Sequence, residues 1–179
     1  MTKNVYLYVL DTLSDWEIAY ITTHLNSPQY FKKNAPVIKL IIVSDSAKPV
    51  TTMGGMKIRS DVSVEQLQVL SSEKSENQDD MLILPGGNTW FSPERKAILD
   101  VAALWITSGK TVAAICGATM ALASAGLLNN IKHTSNDKEF LKQMCPAYNG
   151  ENLYQTVPVV SDKNVITASG TAPVDFTYE

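Results

Sequence analysis

Short apolar runs alternate with longer amphipathic stretches along most of the chain. The runs that predict strands are Val5 to Leu10, Val37 to Val43, Met81 to Leu84, Val112 to Ile115, Tyr154 to Val160 and Val165 to Ala168. A continuous apolar run rich in β-branched residues is typical of a strand buried on both faces of a parallel sheet. Strands that alternate with helical patterns predict one α/β domain over residues 1–179, with a doubly wound, largely parallel sheet between two helical layers.

The first helix follows the first strand and begins at Ser14 or Asp15, which can cap it. Apolar positions cover most of its circumference, so we expect it to be sandwiched between other elements. These positions are Trp16, Ile18, Ala19, Tyr20, Ile21, Thr23 and Leu25. Glu17 then lies near the start of a buried helix, just beyond the carboxyl end of a strand. Open α/β sheets bind ligands at that edge.

The remaining elements follow from local signals. A hairpin is predicted over Lys48 to Ile58 with its turn at Gly54-Gly55, and residues 62–70 fit a short helix or a turn. Residues 71–80 read as a solvated loop. A helix capped by Ser92, with Pro93 in its first turn, should bury Ile98, Val101, Ala102 and Trp105 and end at Gly109. Asn136 and Glu139 form a weak capping box for a further helix, and Pro173 can open a last one.

The segment from Thr111 to Leu128 carries the chemistry. A buried strand, Cys116-Gly117 and an Ala/Met/Leu helix follow each other directly, which is the pattern of a nucleophile elbow. A helix N-terminus beside a thiol lowers the thiol pKa, so we expect a reactive cysteine. Two alternatives are a membrane span over the uncharged residues 111–130 and a plain core cysteine. The Thr, Ser and Gly content of residues 111–130 disfavours the span.

Composition narrows the class of protein. The chain has 179 residues, 45% hydrophobic and 18% charged, with a net charge of -3. This charge argues against nucleic-acid and anionic-membrane partners, which need a basic face. The first residues show no apolar leader pattern, so Cys116 and Cys145 are expected to be reduced thiols of a cytoplasmic protein. Cys145, beside Pro146, is expected to be structural.

Four short motifs occur in order along the chain, namely Asp15-Trp16-Glu17, Leu84-Pro85-Gly86-Gly87, Ala113 to Ala118 and His133 to Asn136. Together they resemble the ThiJ/PfpI superfamily, a branch of the class I glutamine amidotransferase-like folds. The resemblance implies a flavodoxin-like sandwich, commonly a homodimer, with a cysteine nucleophile and neither a metal nor an organic cofactor. It implies that Cys116 is the nucleophile, that Glu17 is the acid beside it, and that Gly87 and Gly117 offer backbone N–H groups to an oxyanion.

Other residues are candidates for the site. His133 follows the elbow segment and can reach the cysteine, or it is a surface or capping histidine. Gly86, Trp90 and Asp15 are candidates for the pocket. Protease-like members of the superfamily place a histidine directly after the nucleophile, where this chain has Gly117. Relatives also usually end in a longer helix than the one predicted here.

Three hypotheses of function follow. The first is an enzyme in which Cys116 attacks a small carbonyl compound, such as a 2-oxoaldehyde, or an amide or peptide, while Glu17 and His133 move protons. The second is a redox or stress sensor whose Cys116 is oxidised rather than catalytic. The third is an amidotransferase-like subunit, which is disfavoured because no histidine follows His133.

Overall fold

The computed structural model describes residues 2–72 and 79–179, with the side chain of Ser72 outside the description. Its main sheet is built from β1 (Thr2–Tyr8), β2 (Val37–Ser44), β5 (Val62–Ser63), β6 (Met81–Leu84), β7 (Thr111–Ile115), β8 (Val159–Asp162) and β9 (Val165–Ala168). A separate antiparallel hairpin is formed by β3 (Val50–Thr51) and β4 (Lys57–Ile58), as the Gly54-Gly55 turn predicts.

The 7-stranded sheet has the order β5-β2-β1-β6-β7-β9-β8. All neighbours pair in parallel except β8 and β9. The chain runs outward from β1 to β2 and β5, then returns to place β6 on the other side of β1. This reversal opens a crevice at the carboxyl ends of β1 and β6. The predicted α/β sandwich with a largely parallel sheet is therefore confirmed.

Six α-helices flank the sheet within the described residues. They are α1 (Asp15–Leu25), α2 (Val64–Ser72), α3 (Lys96–Ser108), α4 (Gly117–Ser124), α5 (Lys138–Met144) and α6 (Pro173–Tyr178). Helix α3 buries the predicted stripe of Ile98, Val101, Ala102 and Trp105. It ends at Gly109, whose φ of 84° is the left-handed conformation expected of a glycine that terminates a helix. Helix α1 contacts α6, and α2 contacts α3.

Helix α1 is buried on one face only, so the prediction of a sandwiched helix is wrong. Trp16 and Tyr20 are 50% and 49% exposed, and Ala19 and Thr23 are exposed beside them. The buried side is formed by Glu17, Ile18 and Ile21. The helix therefore presents an apolar stripe to its surroundings. We call Trp16, Ala19, Tyr20 and Thr23 the α1 stripe.

Several local features differ from those that the sequence predicts. Asp137, not Asn136, caps α5, because its carboxylate accepts the N–H of Phe140 at 2.7 Å. The predicted strand from Tyr154 begins only at Val159, and Tyr154 makes an isolated bridge to His133. Residues 62–70 form a short strand and most of a helix. In the predicted loop of residues 71–80, Asp80 is buried rather than solvated, and its carboxylate accepts the backbone N–H of Asn4. Residues 73–78 of this loop lie outside the described residues.

The uncharged stretch of residues 111–130 folds as the buried strand β7 and helix α4. In the described part of the chain, no helix has the length and apolar character needed to cross a membrane.

Candidate functional site

Four strand ends converge on one point of the crevice. The segments that follow β1, β6, β7 and β9 bring Glu17, Gly86, Cys116 and Gly170 together. A side chain at Gly86 would lie 2.6 Å from Oε2 of Glu17 and 2.8 Å from Cβ of Cys116. One at Gly170 would lie 2.8 Å from the Cys116 sulfur and 3.1 Å from Oε1 of Glu17. Both positions therefore need glycine for the carboxyl and the thiol to meet.

Cys116 lies at a sharp turn between β7 and α4. Its φ of 59° and ψ of -125° are unusual for a residue with a side chain, and its N–H donates to the carbonyl of Ala168 at 3.0 Å. Helix α4 begins at the next residue, Gly117. The side chain is partly exposed. The strand, turn and helix predicted around this cysteine are thus present.

Glu17 is fully buried although it carries an ionisable group. Its Oε2 accepts the N–H of Gly86 at 2.5 Å, whereas Oε1 has no nitrogen or oxygen partner among the described residues. Burial raises the pKa of Glu17, and hydrogen bonds that involve Cys116 and Gly86 partly offset this rise. The carboxyl group is therefore easier to protonate than an ordinary glutamate.

The thiol of Cys116 does not have the low pKa that the elbow pattern predicts. Burial first, and then the negative charge of Glu17, raise its pKa, hydrogen bonds from Asn136 and the Gly117 N–H lower it, and the net pKa is about 11. A helix N-terminus alone is too weak to outweigh burial beside a carboxylate. Because the charge of Glu17 disfavours a thiolate beside it, the Cys116 thiol keeps its proton at neutral pH.

Asn136 contacts the sulfur, and our reading of the sequence missed it. Its Nδ2 donates to the Cys116 sulfur at 3.2 Å, and its Oδ1 accepts the N–H of Gly170 at 2.8 Å. This side chain thereby connects the segment before α5 to the loop after β9. The sequence signal was available, since Asn136 ends the motif His133 to Asn136, but we assigned it to helix capping.

His133 does not reach the cysteine, so this prediction is wrong. The ring is fully buried; its Nδ1 donates to the carbonyl of Ile131 at 2.8 Å, and its Nε2 accepts the hydroxyl of Tyr148 at 2.6 Å. Tyr148 and Tyr154 pack edge-on against the ring. Burial lowers the pKa of His133, which keeps the imidazole neutral. Both nitrogens are engaged away from the sulfur, as in a structural core histidine.

Two backbone amides lie next to the cysteine. A side chain at Gly117 would come within 3.0 Å of the Gly87 carbonyl oxygen and 3.4 Å of the Gly87 nitrogen, so the two glycines are in close contact. The N–H of Gly87 has no hydrogen-bond acceptor among the residues that the structure describes. The N–H of Gly117 interacts with the sulfur. The two predicted amide donors therefore lie close to each other, and both glycines line a cavity that Cys116 also lines.

The three predicted pocket residues have different positions. Trp90 is only 3% exposed, donates from Nε1 to the carbonyl of Pro85 at 2.9 Å and still lines the cavity described below. Gly86 supports Glu17 through its N–H. Asp15 lines neither of the two cavities described below; its carboxylate accepts the N–H of Gly54 at 2.7 Å and so holds the hairpin against α1.

Cys116 lines two cavities in the described part of the chain. The outer cleft, about 640 Å³, is lined by Trp16, Cys116, Asn136, Ser169, Gly170, Thr171 and Pro173. The apolar chamber, about 270 Å³, is lined by Ser14, Met53, Gly87, Asn88, Trp90, Phe91, Cys116, Gly117, Met120, Asn136, Phe140 and Met144. Across residues 2–72 and 79–179, no three His, Cys, Asp or Glu side chains come together in a group that could hold a metal ion.

A comparison with known families agrees with this geometry. Residues 3–179 match the model of the DJ-1/PfpI family. The chain belongs to the DJ-1/PfpI family. The resemblance to the ThiJ/PfpI superfamily stated above is thus confirmed, and it covers nearly the whole chain.

Individual members of the DJ-1/PfpI family can be compared in more detail. The chain is 44% identical over 178 residues to YoaZ of Bacillus subtilis, named as an uncharacterized protease, and covers 81% of its length. It is 31% identical over 177 residues to YdeA, another uncharacterized protease of that organism, and covers 80% of it. A thiJ/pfpI family protein from Bacillus anthracis superimposes with a TM-score of 0.89 at 46% identity, over 99% of this chain and 80% of that one.

Proposed function

We propose that this DJ-1/PfpI protein is a cysteine-dependent enzyme in which Cys116 attacks a small carbonyl compound, as in a glyoxalase-like reaction, or an amide or peptide. The observation that supports the proposal is the contact between the Cys116 thiol and the buried Glu17 carboxyl, close to the N–H of Gly87, which has no acceptor among the described residues. A nucleophile, a proton acceptor and an oxyanion donor are the groups that acyl or carbonyl chemistry requires.

In this proposal the Cys116–Glu17 pair exchanges one proton during the reaction. The thiol proton passes to the Glu17 carboxylate while the sulfur forms a bond to the carbonyl carbon, and the C=O π electrons move to the oxygen. The amides of Gly87 and Gly117 stabilise this oxyanion, at about 3 kcal/mol per donor. Burial of Glu17, which raises its pKa, favours its role as proton acceptor and then as donor.

The two substrate classes differ in the next step. With an amide, the C–N bond breaks, Glu17 returns the proton to the leaving nitrogen, and water hydrolyses the thioester. With a 2-oxoaldehyde, the proton on the attacked carbon moves to the neighbouring carbonyl carbon through an enediol, and water releases a 2-hydroxy acid. Each route returns Cys116 and Glu17 to their starting state without a change of oxidation state in the protein.

Turnover measurements test this function. The substrates are methylglyoxal and a peptide amide, and the variants are Cys116→Ala, Glu17→Gln and the control Cys145→Ala. We expect Cys116→Ala to lose about a thousandfold or more in kcat, with Cys145→Ala close to wild type. Glu17→Gln should lower kcat although it removes the charge that raises the thiol pKa. Full turnover by Cys116→Ala on every accepted substrate would contradict the proposal.

One observation favours redox sensing as a second candidate. The Cys116 sulfur is partly exposed and has donors at Asn136 and Gly117 that could hold an oxidised sulfur, whereas Cys145 is 1% exposed. After mild peroxide treatment, mass spectrometry should find oxidation on Cys116 and not on Cys145. Equal oxidation of the two residues would remove this candidate.

We also propose that the protein is a homodimer through the α1 stripe. Trp16 and Tyr20 lie exposed on α1, and the neighbouring α6 adds Val174 and Tyr178, which are 41% and 85% exposed. An apolar surface of this kind on two contacting helices is typical of an interaction site. Sedimentation should give a dimer for wild type and for the surface control Leu104→Lys, and a monomer for Tyr20→Lys; a wild-type monomer would contradict this assembly.

A further inference from the structure

The rim of the apolar chamber is built from exposed apolar side chains. Met53, Phe91, Phe140 and Met144 are 43%, 53%, 47% and 42% exposed, and all four line this cavity. They come from separate parts of the chain, namely the β3–β4 hairpin, the loop after β6, and helix α5. Single exposed apolar residues are common on protein surfaces, but several around one concave site mark a place where an apolar group binds.

The chamber is continuous with the reacting groups. Cys116, Gly87 and Gly117 form part of its wall, so a group inside it lies beside the sulfur and both amides. Trp90 and Met120, which are almost entirely buried, extend the apolar surface inward. A carbonyl held by the two amides therefore has an apolar wall next to its own substituent.

Among the described residues, those that line the chamber include no lysine, arginine, aspartate or glutamate. Its polar side chains are those of Ser14, Asn88 and Asn136, which are uncharged. A carboxylate or phosphate seated among the apolar side chains would lose its hydration without gaining a cationic partner, because the amides of Gly87 and Gly117 are taken by the carbonyl oxygen under attack; this is unfavourable. The chamber thus selects against anions as well as for apolar groups.

Its size suits a ring or a branched alkyl group. The volume is about 270 Å³, and an apolar cavity of about 150 Å³ is enough to hold benzene. Methionine side chains at Met53, Met120 and Met144 can adapt to such a group, and thioether sulfurs make favourable contacts with aromatic rings.

We propose that the apolar chamber binds an uncharged aromatic or branched aliphatic substituent on the carbonyl group that Cys116 attacks. The protein then prefers neutral, hydrophobic aldehydes or acyl groups to small or anionic ones. This inference rests on the proposed function for its substrate, but the chamber's preference can be measured at the thiol without any turnover.

The test compares the rates at which three reagents alkylate Cys116, read by mass spectrometry of the cysteine peptides. The reagents are iodoacetamide, its N-benzyl derivative and iodoacetate. With each rate divided by that of a small free thiol, we expect the benzyl reagent to react about tenfold faster than iodoacetamide, as expected for one good apolar contact, and iodoacetate to be slowest. Equal normalised rates, or an unreactive Cys116, would overturn the proposal.

A pair of matched variants assigns the preference to the chamber. Met144→Lys places a cation at the rim. Leu104→Lys introduces the same cation at a residue of similar exposure on α3, which is not among the chamber residues. Met144→Lys should reduce the benzyl preference severalfold and speed iodoacetate, while Leu104→Lys should leave both unchanged. A benzyl preference that falls with protein concentration would instead show that a second copy covers the rim, and would overturn the proposal.

Turnover separates this inference from the proposed function. If the enzyme is active, kcat/KM for phenylglyoxal should exceed that for methylglyoxal by about tenfold, and Met144→Lys should reduce this ratio. Activity on methylglyoxal without such a preference would overturn the inference and leave the function intact. Selective alkylation without turnover of any carbonyl or amide would leave the chamber intact and remove the function.

Discussion

The two cysteines of this chain occupy opposite kinds of environment. Cys116 lies at the carboxyl edge of the sheet beside Glu17, and it lines two cavities. Cys145 follows α5, is 1% exposed, and donates from its sulfur to the carbonyl of Met120 at 3.3 Å. Burial raises the thiol pKa of both. Cys116 and Cys145 therefore differ in solvent access and in neighbouring groups, and not because one thiol has an unusually low pKa.

The largest expected effect is the difference in alkylation rate between the two thiols. Cys145 should react with iodoacetamide only when the protein opens, and global opening costs about 5–15 kcal/mol. We therefore expect Cys116 to react at least about a thousandfold faster. Peptide mass spectrometry over time measures both rates, with urea-unfolded protein as the control in which they should be equal. Similar rates in the native protein would break the comparison.

A smaller effect is expected when the space around Cys116 is filled. In Gly170→Ala the new carbon would lie 2.8 Å from the sulfur and 2.9 Å from Cβ of Cys116, so one of the two segments must move. Urea denaturation should show a loss of about 1–3 kcal/mol, and alkylation of Cys116 should change in rate. Gly55→Asn is the control, because that glycine has open space around it and asparagine tolerates its positive φ.

The contact from Asn136 should have a measurable effect on thiol ionisation. This hydrogen bond lowers the pKa of Cys116, so Asn136→Ala should raise it and slow alkylation at pH 8 by about tenfold, the scale of one hydrogen bond to an anion. The rate of the wild type should still increase as the pH rises toward about 11. A pH-rate profile of each variant checks both statements, and an unchanged profile in Asn136→Ala would contradict them.

The smallest effect concerns stability and the charge of Glu17. Because burial raises the pKa of Glu17 in the folded state, the folded protein holds a proton that the unfolded chain has released in the window above the usual pKa of 4.5. Stability therefore falls as the pH rises through that window. Glu17→Gln does not titrate, so it should exceed wild type by about 1 kcal/mol at pH 7 and by little at pH 4. Urea denaturation at both values measures this; a gain that is largest at pH 4 would have the wrong sign.

Local patterns were sufficient to predict most of the sheet and the cysteine turn. Strands that are buried on both faces need continuous apolar runs. The predicted bounds of β6 and β7 therefore agree with the observed ones to within one residue. Glu17 could be placed because a helix directly after a buried strand begins at the ligand-binding edge. These features depend on neighbours in sequence.

Features that depend on contacts between distant segments could not be predicted in the same way. His133 and Asn136 are only three residues apart. The histidine nevertheless packs inward against Tyr148 and Tyr154, whereas the asparagine contacts the Cys116 sulfur. Likewise, an apolar stripe such as Trp16 and Tyr20 predicts burial, but not whether the chain itself supplies the covering surface. The prediction of a low pKa for the Cys116 thiol was wrong for the same reason, since the depth of burial depends on the tertiary structure.

The β3–β4 hairpin is fastened to the loop that leads into α1. The N–H groups of Met53 and Thr12 donate to the carbonyls of Leu13 and Thr51, and the Asp15 carboxylate accepts the N–H of Gly54. Met53 and Glu17 are consequently held by one continuous hydrogen-bonded unit. These hydrogen bonds thus set the distance between Met53, at the chamber rim, and Glu17 when the chain folds. A ligand that enters on this side therefore meets an opening of fixed width.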